Sequence, residues 1–150
     1  MAYNYHASFN LQDCIRTLGL EERGRVQKKV AEEVLRLSGD YIPLDKGGLM
    51  GSGHTENDID VVWDVKVKDK DTSYARYMWN GIVYEDPELH CAGFKTDNGW
   101  RSRKGVQKVP TDRSMEYRNG NLRGPRWVER MMQNGGREAI EKAAREEVKK

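Results

Sequence analysis

A change in apolar spacing within the first half of the chain constrains its fold more than any other feature. Over residues 21–37, apolar side chains recur every three or four positions, as on one face of an α-helix. Over residues 58–68, apolar and charged side chains alternate, which is typical of a half-buried β-strand. The glycine-rich residues 47–53 lie between the two patterns and are expected to be irregular. The chain therefore has to combine helix with sheet.

Weaker signals continue this outline toward the C-terminus. A short helix is expected over residues 74–80, closed by Gly81, and residues 82–84 resume as a strand. Further short strands are predicted over residues 91–95, 105–109 and 115–118. The predicted fold class is α+β, with a long N-terminal helix, a small antiparallel β-sheet with extended loops and a short helix, and a C-terminal helix.

Glycines mark where the two long helices end or bend. Gly39 is expected to end the first helix in the left-handed conformation. Gly124 and Pro125 open the last helix, since proline suits a first helical turn. Gly135 and Gly136 then lie inside its apolar pattern, where each glycine costs about 1 kcal/mol relative to alanine. This pair predicts a hinge.

The chain is poor in the residues that build a core. Leu, Ile, Val and Phe make up under a fifth of its 150 residues, while a net charge of only +2 does not indicate disorder. The length favours a single domain over residues 1–150, in which residues 1–10 form a flexible arm and residues 11–150 the core. A folded chain with so thin a core is expected to bury further apolar surface against neighbouring subunits.

Charge is distributed unevenly along the chain. Residues 95–130 hold ten basic and four acidic side chains, so they carry a net charge of +6 and the rest of the chain carries −4. Opposed segments of this kind suit either a head-to-tail contact between copies or contact with a polyanion.

Several missing signals bound the function. The opening residues lack the basic start and apolar run of a secretory signal, and a mean hydropathy of −0.90 argues against a membrane span. Cys14 and Cys91 form neither a zinc pattern nor a disulfide framework, so we expect reduced thiols in the cytosol. The glycine-rich stretch lacks the lysine of a phosphate-binding loop, and the three histidines lie far apart in sequence. No cofactor, metal or membrane partner is expected.

One acidic run keeps a metal-dependent nuclease open as an alternative. In an extended strand, residues two positions apart project from the same face. An even number of positions separates the members of one polar run: His54, Glu56, Asp58, Asp60 and Asp64. Asp64-Val65-Lys66 also has the acid-x-Lys form in which a lysine stabilises charge beside a carboxylate-held Mg²⁺. The candidate cluster consists of Asp58, Asp60, Asp64 and Lys66. The other interpretation is the solvated face of an amphipathic strand.

Two short segments combine basic and aromatic side chains in the manner of a contact surface. One is a basic turn that contains Trp100, Arg101, Arg103 and Lys104. The other is the predicted short helix, which contributes Arg76, Tyr77 and Trp79. Tyr, Trp and Arg are favoured interface anchors, whereas cations beside a stacking aromatic ring also suit a sequence-independent DNA-binding module. The basic turn is thus a subunit contact, a DNA contact or a solvated loop.

Five stretches in consistent order carry a resemblance that covers residues 20–150. Residues 41–49 read YIPLDKGGL and residues 74–81 read YARYMWNG. The basic half adds SRKGV over residues 102–106, VPTDR over 109–113 and GPRWVER over 124–130. Together these stretches resemble motifs of the head–tail joining, or neck, proteins of tailed bacteriophages, in particular the minor capsid or tail-completion branch.

The resemblance implies a structural virion protein without enzymatic activity. Members of this family stand as closed rings between the portal-bound connector and the tail tube. It therefore implies a homo-oligomeric ring, six- or twelve-fold, in the virion neck, assembled in the cytoplasm of the host bacterium. The implied partners are further copies of the chain, portal or connector proteins, tail tube or tail terminator proteins, and genomic DNA in the ring lumen. The opposed charges and long loops agree with such an assembly.

Overall fold

The described part of the chain begins with a helix that the sequence analysis did not predict. The computed structural model describes residues 10–44, 46–63 and 74–150, and its first helix, α1, spans Leu11–Leu18. Asn10 caps α1, since its side-chain oxygen accepts two backbone hydrogen bonds from the first turn, at 3.0 and 3.4 Å. The predicted arm lies outside the described residues except for this capping residue.

The second helix carries the predicted apolar stripe but is shorter than expected. α2 spans Arg25–Ser38 and is about 21 Å long at 1.5 Å per residue. The predicted start at residue 21 is wrong, because the chain turns there and the backbone N–H of Gly24 donates to the carbonyl of Glu21 at 2.9 Å. The predicted left-handed cap is also wrong, since Gly39 has right-handed helical angles (φ −54°).

A hairpin follows the glycine-rich stretch. That stretch is partly regular, contrary to expectation, because Gly48–Gly51 form a single helical turn, α3. Strands β1 (Gly53–Glu56) and β2 (Asp60–Trp63) then pair antiparallel, with Glu56 directly opposite Asp60. The predicted strand over residues 58–68 is confirmed for 60–63, whereas 58 and 59 lie in the hairpin turn and 64–68 lie outside the described residues.

The central part confirms a helix-to-strand connection and corrects two strands. Helix α4 (Ala75–Asn80) ends at Gly81, whose φ of 71° turns the chain directly into β3 (Ile82–Glu85). β3 pairs antiparallel with β6 (Val109–Ser114), and β4 (Phe94–Thr96) pairs with β5 (Gly99–Arg101). The strands predicted over 105–109 and 115–118 are therefore wrong apart from residue 109. Residues 105–108 precede β6, and residues 115–118 follow it. Within the described ranges the strands form three separate two-stranded antiparallel sheets.

The C-terminal helix bends where the two adjacent glycines predicted a hinge. Its first part, α5 (Trp127–Met131), begins two residues after Pro125, and its second part, α6 (Arg137–Val148), follows a wide turn over Met132–Gly136. Asn134 and Gly135 leave helical geometry there, with φ of −101° and 89°. The predicted break in the last helix is therefore observed as a bend at Asn134 and Gly135.

The core lies where α2 packs against α5, α6 and the β1–β2 hairpin. Nine apolar side chains are buried among the described residues: Val26, Ala31, Tyr41, Ile42, Leu49, Ala75, Trp127, Met131 and Ile140. Ten large apolar side chains in the same ranges are exposed: Leu11, Leu18, Leu20, Met50, Ile82, Leu89, Phe94, Trp100, Val109 and Leu122. The α+β class and the thin core that the sequence predicted are both observed.

Candidate interaction cleft

A cleft forms where α4 and β3 meet the segment that follows β5. The tight turn at Gly81 places β3 beside α4, so that the rings of Tyr77 and Tyr84 meet edge to face with their centroids 4.8 Å apart. These two tyrosines form one wall. The opposite wall is residues 100–108, which leave the end of β5 and return to β6.

The β4–β5 hairpin presents the tryptophan and first arginine of the predicted basic turn. Its strands are joined by two residues, and Gly99 at the start of β5 has a φ of 93°. The Thr96 hydroxyl donates to the Gly99 carbonyl at 2.8 Å and fixes the turn. Trp100 and Arg101 therefore lie on a strand and not in a loop, and Trp100 is 66% exposed.

The buried carboxylate of Asp86 holds Arg103, within the wall formed by residues 100–108, in place. Asp86, directly after β3, accepts two hydrogen bonds from the Arg103 guanidinium, both at 2.6 Å. Asp86 also accepts the backbone N–H groups of Glu88 and Leu89, and the Glu88 carboxylate accepts a third Arg103 hydrogen bond at 2.7 Å. Hydrogen bonding to Arg103 holds the pKa of Asp86 far below its usual value and raises that of Arg103. Arg103 thus ties the loop to β3.

The cleft has a volume of about 840 Å³ and combines apolar, aromatic and basic lining. Its described lining residues include Tyr74, Tyr77, Met78, Val83, Tyr84, Trp100, Arg101, Lys104, Val106, Lys108 and Met115. No carboxylate occurs among the described residues that line it. Apolar side chains with cations and without acids suit an occupant that carries negative charge on an apolar or aromatic framework.

The cations of the cleft differ in whether they already have a partner. Lys108 donates to the backbone carbonyl of Ala92, and Arg103 is committed to Asp86 and Glu88. The side chains of Arg101 and Lys104 are exposed and form no hydrogen bond or ion pair within residues 10–44, 46–63 and 74–150. These two cations are therefore free to meet an anionic partner.

The candidate residues of α4 lie in different environments. Arg76 is exposed and stacks over the Tyr77 ring at 5.1 Å, donating to its hydroxyl at 3.3 Å. Trp79 is half-buried and meets the buried Trp127 edge to face, with centroids 4.8 Å apart. The Arg126 guanidinium also lies over the Trp79 ring, 5.5 Å from its centroid. The structure thus joins Tyr77, but not Trp79, to the cleft.

The acidic run of the nuclease alternative does not form one extended face. His54 and Glu56 lie on β1 with their side chains 3.3 Å apart, and Asp58 lies in the turn, where it pairs with Lys28 at 2.9 Å. Asp60 lies on the returning strand, β2. No three metal-ligating side chains cluster in the described part of the chain, and Asp64 and Lys66 lie outside it.

Sequence reasoning missed the carboxylate that holds Arg103 and the tyrosine wall contributed by β3. The Asp86-Pro87 dipeptide after a strand is a recognisable turn signal, because an aspartate side chain there accepts nearby backbone N–H groups. It did not reveal that Arg103, seventeen residues later, would be the main partner. Tyr84 lies in a predicted strand, but its position facing Tyr77 depends on the turn at Gly81.

No protein-family model matches the chain, and no curated protein or solved structure matches it either. None of the helices in the described ranges is long and apolar enough to cross a membrane.

Proposed function

We propose that the protein is a structural subunit of a tailed-bacteriophage neck, where copies close into a ring that joins the head connector to the tail. The motif resemblance over residues 20–150 supports this role. The observation that carries it is the exposed cleft, an acid-poor basic and aromatic surface on a chain with a small core of its own. The proposed role is structural and non-catalytic, and its place is the virion neck.

Unfinished burial favours an obligate partner. Ten large apolar side chains are exposed in the described ranges, against nine buried apolar ones. Burying one such side chain contributes about 1.5–3 kcal/mol. Two-stranded sheets are also marginal alone, and each leaves unpaired edges. Contacts with neighbours in a ring would supply the missing burial.

The proposed partners are further copies in a six- or twelve-fold ring, the portal or connector above it and the tail tube or tail terminator below it. A head-to-tail contact between unlike surfaces closes into a ring when its rotation suits. The test is co-expression with the portal, connector and tail proteins of the parent phage, followed by light scattering and negative-stain microscopy. We expect rings that contain this chain at the head–tail junction.

Two outcomes would contradict the structural role. One is failure to associate with any of these components. The other is cleavage of plasmid DNA in Mg²⁺ or Mn²⁺ that is lost in Asp64→Ala, which would support the nuclease alternative instead.

DNA contact is a second candidate role, because two cleft cations lack a protein partner. Arg101 and Lys104 line the same cleft as the exposed Trp100 ring, a combination suited to phosphates and a stacked base. Each phosphate contact adds about 0.9 to the salt dependence of duplex binding. Replacing both cations with alanine is expected to lower that slope by about 2 in fluorescence anisotropy. Absent or salt-independent binding would refute this role.

A further inference from the structure

The two ends of α2 contact different segments of the chain. At its N-terminal end, Arg25 donates to the α1 carbonyl of Thr17 at 3.0 Å, and Lys28 pairs with Asp58 of the β1–β2 turn at 2.9 Å. Arg25 and Lys28 are about one helical turn apart, so α1 and this turn share one end of the molecule. We call it the α1 end.

The cleft belongs to the opposite end of α2. The Tyr117 hydroxyl donates to the backbone carbonyl of Met78, a cleft residue, at 2.7 Å. Arg123, a few residues further on, donates to the carbonyls of Gly39 and Ile42 just after α2, at 3.1 and 2.5 Å. We call this the cleft end. The α1 end and the cleft end are therefore connected to opposite ends of α2, a helix about 21 Å long.

The α1 end carries acidic side chains that lack adequate partners. Glu56 and Asp60 are exposed and directly opposite each other in the β1–β2 register, where like charges destabilise a hairpin. The Asp60 side chain forms no hydrogen bond or ion pair within the described residues, and the Glu56 carboxylate pairs only with His54, at 3.3 Å. No lysine or arginine occurs in residues 53–63. A cationic partner would relieve this repulsion.

The same end also exposes apolar surface. Helix α1 buries none of its residues, and its apolar side chains are spaced to form one stripe: Leu11, Cys14, Ile15 and Leu18. Leu11 is 59% exposed. Cys14 and Ile15 are half-buried, whereas Leu11 and Leu18 are exposed, and an exposed apolar stripe on an amphipathic helix is a recognised docking element.

We infer that the α1 end of one copy docks onto the cleft end of the next copy. This inference rests on the proposed ring and names its two surfaces. Glu56 and Asp60 supply the anionic partners that Arg101 and Lys104 lack within one copy. The α1 stripe adds apolar burial to the contact. The two surfaces share no residues, so the contact is heterologous and can continue around a ring. DNA would satisfy the cations but leave the acids and the stripe unpartnered.

A charge exchange between two variants tests the contact. The first variant, Arg101→Glu with Lys104→Glu, has an acidic cleft end. The second, Glu56→Lys with Asp60→Lys, has a basic α1 end. Each variant alone then sets like charges against each other, and we expect its self-association constant to fall about tenfold or more. In an equimolar mixture each cleft again meets an opposite charge, so association returns with the two variants alternating.

Sedimentation velocity measures the association, and native mass spectrometry of the mixture measures its composition. The control, Arg137→Glu with Lys142→Glu, makes the same charge change on exposed residues of α6 and is expected to associate like wild type. Leu11→Ser with Leu18→Ser is expected to weaken association without unfolding, because α1 buries no side chain. Far-UV circular dichroism checks that every variant is folded.

The outcomes separate this inference from the proposed function. Wild-type rings that tolerate both charge reversals would refute the contact and leave the ring standing. Charge-dependent open chains that never join neck components would support the contact and refute the neck role. Wild-type protein that stays monomeric at every concentration would refute the contact. Loss of DNA binding in the Arg101→Glu, Lys104→Glu variant, with unchanged association, would assign the cleft to nucleic acid and refute it too.

Discussion

Replacement of Gly136 by alanine would probe the close approach on which the C-terminal bend depends. A Cβ atom at this position would lie 2.6 Å from the backbone carbonyl oxygen of Met131 and 2.1 Å from its sulfur. The sulfur can move, but the carbonyl belongs to the last turn of α5 and cannot move without disturbing the buried Met131 side chain. Overpacking of this kind costs about 1–3 kcal/mol.

A series of three glycines separates this clash from the general effect of adding a methyl group. A Cβ at Gly51 would meet nothing within 4 Å, so Gly51→Ala is expected to be neutral or to stabilise by up to about 1 kcal/mol. Gly135 also has open space but a φ of 89°, so alanine there carries only a backbone cost of about 1–2 kcal/mol. Gly136→Ala should be the least stable of the three or equal to Gly135→Ala.

Urea denaturation followed by circular dichroism measures the series. A difference of about 2 kcal/mol between the Gly136→Ala and Gly51→Ala variants corresponds to about 4–8 °C in Tm for a chain of this size. Equal stabilities for these two variants would show that the helix accommodates a methyl group at the bend. Such a result would show that the close approach of Gly136 to Met131 does not limit stability.

Three further predictions concern a core residue, the hydrogen bonds of Arg123 to the backbone after α2, and the Asp86–Arg103 ion pair. Met131→Ala should destabilise by about 2–5 kcal/mol in urea, since Met131 is 1% exposed, whereas the exposed Met50→Ala should change stability by less than about 0.5 kcal/mol; equal effects would contradict the core described above. Arg123→Lys should lower the free energy of unfolding by about 1–3 kcal/mol, because lysine cannot reproduce the guanidinium hydrogen bonds to the backbone carbonyls after α2. An unchanged urea midpoint would contradict a stabilising role for these hydrogen bonds. Asp86 has a lowered pKa because Arg103 hydrogen-bonds to it, so it stabilises the fold above its ordinary pKa of 3.8 and this contribution is lost as the pH falls from about 5 toward 2. The stability of Asp86→Asn should therefore depend less on pH over this window, and parallel pH profiles would contradict the role of the Arg103 pair.

Elements that depend on neighbouring residues were predictable. The stripe of α2, the closure of α4 by Gly81 and the bend at Gly135 each follow from contacts or backbone preferences within a few residues. Helix α1 belongs to the same class, because Leu11, Ile15 and Leu18 are spaced as on one helix face. It was missed because the stripe covers only two turns and directly follows the segment assigned to a flexible arm.

Only part of the candidate site could be predicted, because the environment of its residues depends on contacts with distant segments of the chain. The sequence placed Trp79 and Trp100 in equivalent positions, each within a segment of basic and aromatic residues, yet one packs against the core and the other is exposed. It also grouped Arg101 with Arg103, of which only Arg101 remains unpartnered in the described residues. Nothing local to these residues distinguishes them.

Local patterns in the sequence were enough to predict the α+β class, the apolar stripe of α2, the short helix with its strand, the late bend and the shortage of core residues. Tertiary structure alone decided that Asp86 would bind Arg103 and that α4, β3 and residues 100–108 would enclose a cleft. Periodicity and capping act between residues a few positions apart, so a linear pattern contains them. Ion pairs, burial and clefts arise where distant segments meet, and this depends on how the helices and strands pack as a whole.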